Sequence, residues 1–163
     1  MLSKRKTLAL AATAFSFALL GACASVPKPT NVADTAARTP QLSTLNKLLI
    51  DSGLAETLRG TGPYTLFAPS DEAFKAMSPK ALAELSADKE RLKSVLSYHV
   101  VAAKITAAEV KPGNAKTVQG SNVAVAKAGP FVTVEDAMVQ QADLQATNGV
   151  IHVVDRVLVP PKR

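Results

Sequence analysis

The sequence ATNGVIHVVDRVLVP, residues 146–160, lies near the end of the chain and is the most informative about the fold. Its Asn-Gly pair precedes an aliphatic run, a pattern typical of a β-hairpin. Both sides of the VIHVVD segment are mostly apolar, which predicts a central strand with Asp155 near its rim. Because a single buried imidazole usually finds a hydrogen-bond partner and stays neutral, we interpret His152 as a structural residue. We expect Asp155 to cap a turn, or to pair with Arg156 or a nearby lysine.

Working back from this strand, the chain divides into a helical first part and a strand-rich second part. LSTLNKLLIDSG (42–53) has leucines at helical spacing with a glycine to end the helix. DKERLKSVLSYHV (88–100) carries one apolar face that His99 closes, and Ser70 is placed to cap another helix. From Ala115 onward the apolar period changes to two. Because the predicted helices come first along the chain and the antiparallel strands come later, we predict a single α+β domain rather than a doubly wound parallel sheet.

The N-terminal residues 1–22 have the three parts of a secretory signal: a basic head, an apolar run and small residues at its end. The run is too short to cross a bilayer as a helix. The tetrapeptide LGAC, which ends at Cys23, resembles a bacterial lipobox, so we predict cleavage before Cys23 and lipidation of its sulfur. An ordinary cleaved signal is the alternative. The residue after Cys23 is Ala24. An aspartate at this position would favour retention of the lipoprotein in the inner membrane, so the alanine indicates the outer membrane.

The segment that follows, residues 23–40, is rich in Ala, Pro and Thr, which predicts a flexible tether and a single domain over residues 41–163. The chain has 19 Lys and Arg, three of them in the basic head, against 13 Asp and Glu, so the net charge without the signal is only +3. No basic cluster is interleaved with aromatic residues. We therefore predict no nucleic-acid partner.

Three segments together resemble the signature stretches of the fasciclin-like domain family: TLFAPSDEAF (65–74), SYHVV (97–101) and the stretch at 146–160. They occur in the order and at the spacing of that family, across essentially the whole domain. The resemblance implies a fasciclin-like fold, in which two β-sheets form a wedge-shaped sandwich flanked by several α-helices. It also implies adhesion or extracellular binding rather than catalysis. The matched signature positions are Thr65, Phe67, Pro69, Asp71, Phe74, Asn148, Gly149 and His152.

The resemblance also implies a contact site, because a Tyr-His pair and an Asp-Ile-type dipeptide are implicated in receptor contact in this family. The matching positions here are Tyr98, His99, Asp143 and Leu144. Leucine in place of isoleucine keeps the apolar character but alters the shape of that contact. The residues themselves favour a second interpretation for His99, in which it lies in the core and supports the helix end, with Ser70 or Asp71 as its partner.

The residue types needed for catalysis are present without the usual spacing. A nucleophilic triad could be drawn from Ser70, His99 and one of Asp71, Asp143 or Asp155. Ser70 lacks the Gly-x-Ser-x-Gly elbow, however, and helix capping explains it more simply. Two histidines far apart, without a His-x-x-x-His motif or an Asp-rich loop, predict no metal site and no cofactor.

The function that we predict is a non-catalytic, lipid-anchored module of the bacterial envelope, attached to the outer membrane and active in adhesion. Its expected partners are the membrane, through the lipid anchor, and a surface protein or polysaccharide. The alternative is a periplasmic envelope-maintenance protein that binds peptidoglycan or another envelope protein. A serine hydrolase is a remote alternative. The residue after the cysteine indicates which membrane carries the protein but not which leaflet the domain faces. Adhesion and periplasmic envelope maintenance therefore both stay open.

Overall fold

The computed structural model describes residues 30–161, so the predicted signal (1–22) and the predicted lipidation of Cys23 lie outside the described residues. The α-helices are α1 (Val32–Arg38), α2 (Ser43–Asp51), α3 (Leu54–Arg59), α4 (Asp71–Ala76), α5 (Pro79–Ala87) and α6 (Lys89–Tyr98), and a short 3₁₀ helix (Pro40–Leu42) lies between α1 and α2. The strands are β1 (Tyr64–Pro69), β2 (Val100–Val101), β3 (Gly113–Lys116), β4 (Asn122–Ala128), β5 (Phe131–Val134), β6 (Ala137–Ala146) and β7 (Gly149–Val154). Within this range none of the helices combines the length and apolar character needed to cross a bilayer.

Helix α1 corrects the predicted tether. The tether was expected to reach residue 40, but Asn31 caps a helix there by accepting the Asp34 N–H at 2.9 Å. Val32 and Ala36 are fully buried on one face of this helix. The composition was misleading because small side chains allow α1 to pack closely against the domain without large apolar residues. The folded domain therefore includes α1 and its cap, which lie before the predicted start at residue 41.

The seven strands of the described residues follow one hydrogen-bonded order, β2-β1-β7-β6-β5-β4-β3. β1 and β7 run parallel, and every other neighbouring pair in this order is antiparallel. All six residues of β7 are buried, which confirms the prediction of a central strand. The α+β class is confirmed as well, with one parallel pair, β1 and β7, that the sequence pattern did not indicate.

The two predicted sheets share strand β6. It begins beside β5, where Ala137 pairs with Val134, and then pairs with β7 from Val139 to Ala146. Register shifts between Val139 and Leu144 interrupt the second pairing, and such bulges bend a strand. The result is two four-stranded halves, β2-β1-β7-β6 and β6-β5-β4-β3, which correspond to the two predicted sheets.

Alternation along the central strands places side chains in two separate cores. Ile151 and Val153 of β7 lie in the first, the helical core, to which all six described α-helices contribute. Val154 of β7 and Phe67 of β1 lie in the second, the strand core, together with valines of β4 and β5. His152 is 1% exposed and stacks on Phe67, with ring centroids 5.6 Å apart, so its imidazole is built into the sheet.

Candidate functional site

His99 is a fully buried cap at the end of α6. Its Nδ1 donates to the Val95 carbonyl oxygen at 2.8 Å, and its Nε2 accepts the Leu158 N–H at 2.9 Å. Burial lowers the pKa of His99 to about 4, although the bond to the Val95 carbonyl acts in the opposite direction. The prediction that His99 supports the helix end is therefore confirmed. The predicted partners, Ser70 or Asp71, are wrong, because both ring nitrogens bind backbone groups.

Tyr98 is also buried, on the side of α6 that faces the strand core, and is only 2% exposed. Its hydroxyl lies 3.1 Å from the Asn122 carbonyl oxygen and 3.2 Å from Glu135 Oε1. Burial and the nearby charge of Glu135 raise the pKa of Tyr98 to about 12. A buried side chain presents no surface to a partner. We therefore withdraw Tyr98 and His99 as predicted contact residues.

Thr65 and His152 hold the backbone that links β2 to β3, residues 102–112, which we call the β2–β3 connection. The Thr65 hydroxyl donates to the Ala103 carbonyl at 2.6 Å and accepts the Ile105 N–H at 2.9 Å. His152 Nε2 donates to the Ile105 carbonyl at 2.7 Å. The two signature residues thus fix three backbone groups of a segment that has no regular secondary structure at these positions.

Asp143 joins the same arrangement from β6. Its backbone has a positive φ of 59°, and its Oδ1 accepts the Ala107 N–H at 2.9 Å. Its own N–H donates to His152 Nδ1 at 3.3 Å, so His152 is neutral with its proton on Nε2. Burial lowers the pKa of His152, against the bond to Ile105 and the charge of Asp143. Asp143 and Leu144 are both half-buried, and their role in partner contact stays a prediction.

Asn148 and Gly149 connect the hairpin turn to the first helices. The Asn148 side chain donates to the Leu58 and Gly60 carbonyls at 2.8 and 2.6 Å and accepts the Val32 N–H at 2.8 Å. Gly149 lies so close to Tyr64 that a Cβ would collide with the Tyr64 carbonyl oxygen. The Asn-Gly pair therefore does more than close a hairpin, because it also anchors α1 and the end of α3.

The segment after β1 contains two caps. Ser70 is buried and its hydroxyl accepts the Ala73 N–H at 3.3 Å, as predicted for a helix cap. Asp71 reaches the start of α2, where it accepts the Ser43 hydroxyl at 2.7 Å and the Thr44 N–H at 2.8 Å. Partial burial raises the pKa of Asp71, but the bonds from these two residues outweigh it, and the net result is a lowered pKa. Ser70 and His99 are thus engaged with backbone and not with each other.

Three remaining predictions concern single positions. Pro69 ends β1 opposite Val154, and Phe74 is buried in the helical core. Asp155 follows β7, and its Oδ1 accepts the N–H of Met138 in β6 at 2.7 Å, so it joins two strands. Neither predicted role, a turn cap or an ion pair with Arg156 or a lysine, is found for it among the described residues. Within residues 30–161 no group of three His, Cys, Asp or Glu residues is placed to hold a metal ion.

A cavity of about 870 Å³ beside the β2–β3 connection was not predicted. It is lined by the connection, by β3 and by single residues of other elements, among them Tyr64 and Val125. No local sequence pattern signals it, since its walls come from segments that are far apart in the chain. The only hint in the sequence is the pair Lys111 and Lys116, which lie just before β3 and at its last residue and line this cavity.

The fold and these bonds define an α+β domain with two cores, whose polar signature residues hold backbone segments in place. The fasciclin domain model matches residues 40–160. The chain belongs to the fasciclin domain family. Helix α1 precedes the matched range, although its bond to Asn148 makes it part of the folded unit.

The similarity extends to bacterial and animal proteins. Protein sll1483 of Synechocystis sp. is 39% identical over 133 residues, which cover 80% of this chain and 73% of that protein. Cell surface glycolipoprotein MPB83 of Mycobacterium bovis is 34% identical, with 80% of this chain and 60% of its own length covered. A solved FAS1 domain pair from the insect cell adhesion molecule fasciclin I matches with a TM-score of 0.64 at 21% identity, over 80% of this chain and 51% of that chain. The predicted fasciclin-like fold is thereby confirmed.

Proposed function

We propose that this chain is a non-catalytic binding module of the bacterial cell envelope, held to the outer membrane by lipid on Cys23 and active in adhesion. Its partner would be a protein or polysaccharide on another cell, a host or a matrix. The similarity to a relative named as a cell surface glycolipoprotein supports this proposal, as does the fold shared with an insect cell adhesion molecule. Many copies on one membrane would convert weak single contacts into firm attachment.

The observation that carries the proposal is an exposed apolar pair on the outer face of the strand core. Phe131 on β5 and Met138 on β6 are 58% and 46% exposed. Met138 pairs with Thr133, and Phe131 lies two residues before Thr133, so both side chains share one face of the sheet. Val132 and Val134 point to the opposite, buried face. Aromatic and methionine side chains are enriched in protein interfaces, which makes this pair the candidate contact surface.

The polar residues support a module without catalysis. His99 and His152 each use both ring nitrogens on backbone groups. The Ser70 hydroxyl caps its own helix. A general base needs a free ring nitrogen within reach of its nucleophile, and neither imidazole offers one in this arrangement.

Cell attachment tests the proposed surface. In the doubly substituted Phe131→Thr/Met138→Thr chain the strands keep residues of high β-propensity but lose the apolar pair. We expect attachment or aggregation of cells to fall several-fold at an equal amount of protein per cell. Ile50→Gln, which removes an equally exposed apolar side chain from α2, serves as the control and should have no effect. Deletion of the gene without any change in attachment would contradict the adhesion proposal.

The proposed anchor and orientation need a separate test. Cys23→Ser should move the protein from the membrane fraction to the soluble fraction, because the sulfur that would carry the lipid is absent. Protease treatment of intact cells should then degrade the unaltered domain if it is displayed outside. Resistance in intact cells, with digestion after the outer membrane is opened, would favour the periplasmic function and binding to peptidoglycan or another envelope protein.

A further inference from the structure

The cavity beside the β2–β3 connection exists because β2 and β3, the first and last strands in the order, are joined by only a short backbone contact. Val101 of β2 forms a single bridge with Thr117, next to a bond from the Val118 N–H to the Val100 carbonyl at 2.7 Å. β3 itself pairs only with β4 among the described strands, and the connection crosses the gap in place of a strand. The volume of about 870 Å³ lies within the range of pockets that enclose small molecules.

The wall of this cavity is largely aliphatic. Val101, Val110 and Val125 belong to the strand core and also border the cavity, so their positions are fixed by packing. Ile105 is half-buried, and its backbone is held by Thr65 and His152. Val118, which is 40% exposed, stands at a more open part of the wall. An apolar chain placed here would bury its surface against side chains that do not have to be ordered first, which favours binding.

The charged groups at the cavity are mainly positive. Lys111 and Lys116 both line it, both are exposed, and neither forms an ion pair within residues 30–161. Among the described residues of the lining, the one carboxylate belongs to Glu109, which accepts the Thr106 hydroxyl at 2.8 Å. Because two lysines and one hydrogen-bonded carboxylate line the cavity, its net charge is positive and it attracts anions.

From the aliphatic wall, the volume and the lysine pair, we propose that this cavity binds a single-chain amphiphile with an anionic head group, of which a long-chain carboxylate is the simplest example. The chain lies against the valine wall, and the head group is held by Lys111 and Lys116. This site is distinct from the proposed adhesion surface at Phe131 and Met138. The proposal therefore does not depend on adhesion.

Calorimetric titration of the full chain carrying Cys23→Ser with dodecanoate tests the proposal, because no covalent lipid then competes. We expect one molecule per chain, with decanoate roughly tenfold weaker as two buried methylenes are lost. Dodecyltrimethylammonium should bind at least tenfold more weakly than dodecanoate. Lys111→Glu/Lys116→Glu should weaken dodecanoate binding about tenfold, and Val118→Asp should weaken it as well.

The control is Lys80→Glu/Lys93→Glu, which changes the net charge equally at exposed positions on α5 and α6. It should bind dodecanoate like the unaltered chain. Absence of dodecanoate binding, equal affinity for the cationic amphiphile, or equal losses in both double variants would overturn the proposal. So would binding to vesicles of anionic phospholipid that free dodecanoate fails to reduce, since this would indicate surface attraction alone. If a variant does not fold, the proposal is still tested by comparing the affinities of the unaltered site for dodecanoate and for dodecyltrimethylammonium.

Discussion

The two buried histidines show how one residue type serves two different purposes in this domain. His99 ends a helix, donates from Nδ1 to its own helix and accepts the Leu158 N–H. His152 lies within a central strand, donates from Nε2 to Ile105 and accepts the N–H of Asp143. The two rings are therefore opposite tautomers. His99 joins a helix to the C-terminal segment, whereas His152 joins the central strand to the β2–β3 connection.

The surroundings of the two rings differ in charge as well as in partners. Burial lowers the pKa of His99 to about 4, and among described residues only the Val95 carbonyl opposes this effect. Burial also lowers the pKa of His152, but both the Ile105 carbonyl and the charge of Asp143 oppose it. We infer that His99 contributes to the stability of the whole domain, while His152 mainly determines local order in the connection, because local segments can open without global unfolding.

The largest effect that separates the two regions is expected for His99→Ala. The substitution leaves a cavity in the core and removes the partner of the buried Leu158 N–H, so the free energy of unfolding should fall by about 4 kcal/mol. Urea unfolding followed by circular dichroism measures this loss. Lys93→Ala, at an exposed position of the same helix, is the control and should change stability by about 0.5 kcal/mol or less. A loss of under about 1 kcal/mol for His99→Ala would refute the global role.

The pH dependence of stability should be dominated by His99. Because its folded pKa, about 4, lies below its unfolded value of 6.5, the unfolded chain binds the proton more readily. Stability is therefore complete above about pH 7 and is lost as pH falls, by roughly 2 kcal/mol between pH 7 and pH 5. Unfolding measured across this range should show a shallower slope for His99→Gln, which cannot titrate. An unchanged slope would mean that His99 is not the group responsible.

A smaller and more local effect is expected at the connection. Thr65→Val keeps the shape of the side chain but removes both bonds to the connection, at a cost of about 1–2 kcal/mol. Hydrogen exchange should show faster exchange at the Ile105 amide, with little change in α6. Thr133→Val is the matched control. Thr133 lies on β5, and its hydroxyl forms no hydrogen bond to the connection among the described residues. Uniform acceleration across the whole domain would instead indicate that Thr65 stabilises both cores alike.

The central strand and the burial of both imidazoles could be predicted because they depend on local patterns. Alternation in VIHVVD and the helical spacing that ends at His99 each concern neighbouring residues. The partners of these residues could not be predicted in the same way. His99 binds Leu158 and Asn148 binds Val32, contacts that span 59 and 116 residues of the chain. Such pairs exist only after the strands have assembled.

Helix α1 and the burial of Tyr98 were missed for a related reason. α1 buries Val32, Ala33 and Ala36, and small residues of this kind also occur in flexible segments. Tyr98 lies off the apolar face of α6 that the spacing identifies, but a second core on the other side covers it. A single stripe of apolar residues predicts one buried face of a helix. It cannot indicate that a second layer packs against another face.

The most direct test of the account is a nitrogen-15 NMR titration of the two imidazoles in the folded chain. We expect two neutral rings at neutral pH, His99 with its proton on Nδ1 and His152 with its proton on Nε2, and no titration of His99 until the pH approaches about 4. Titration of His99 near its ordinary pKa of 6.5, or the opposite tautomer in either ring, would contradict the claim that both histidines are engaged with the backbone.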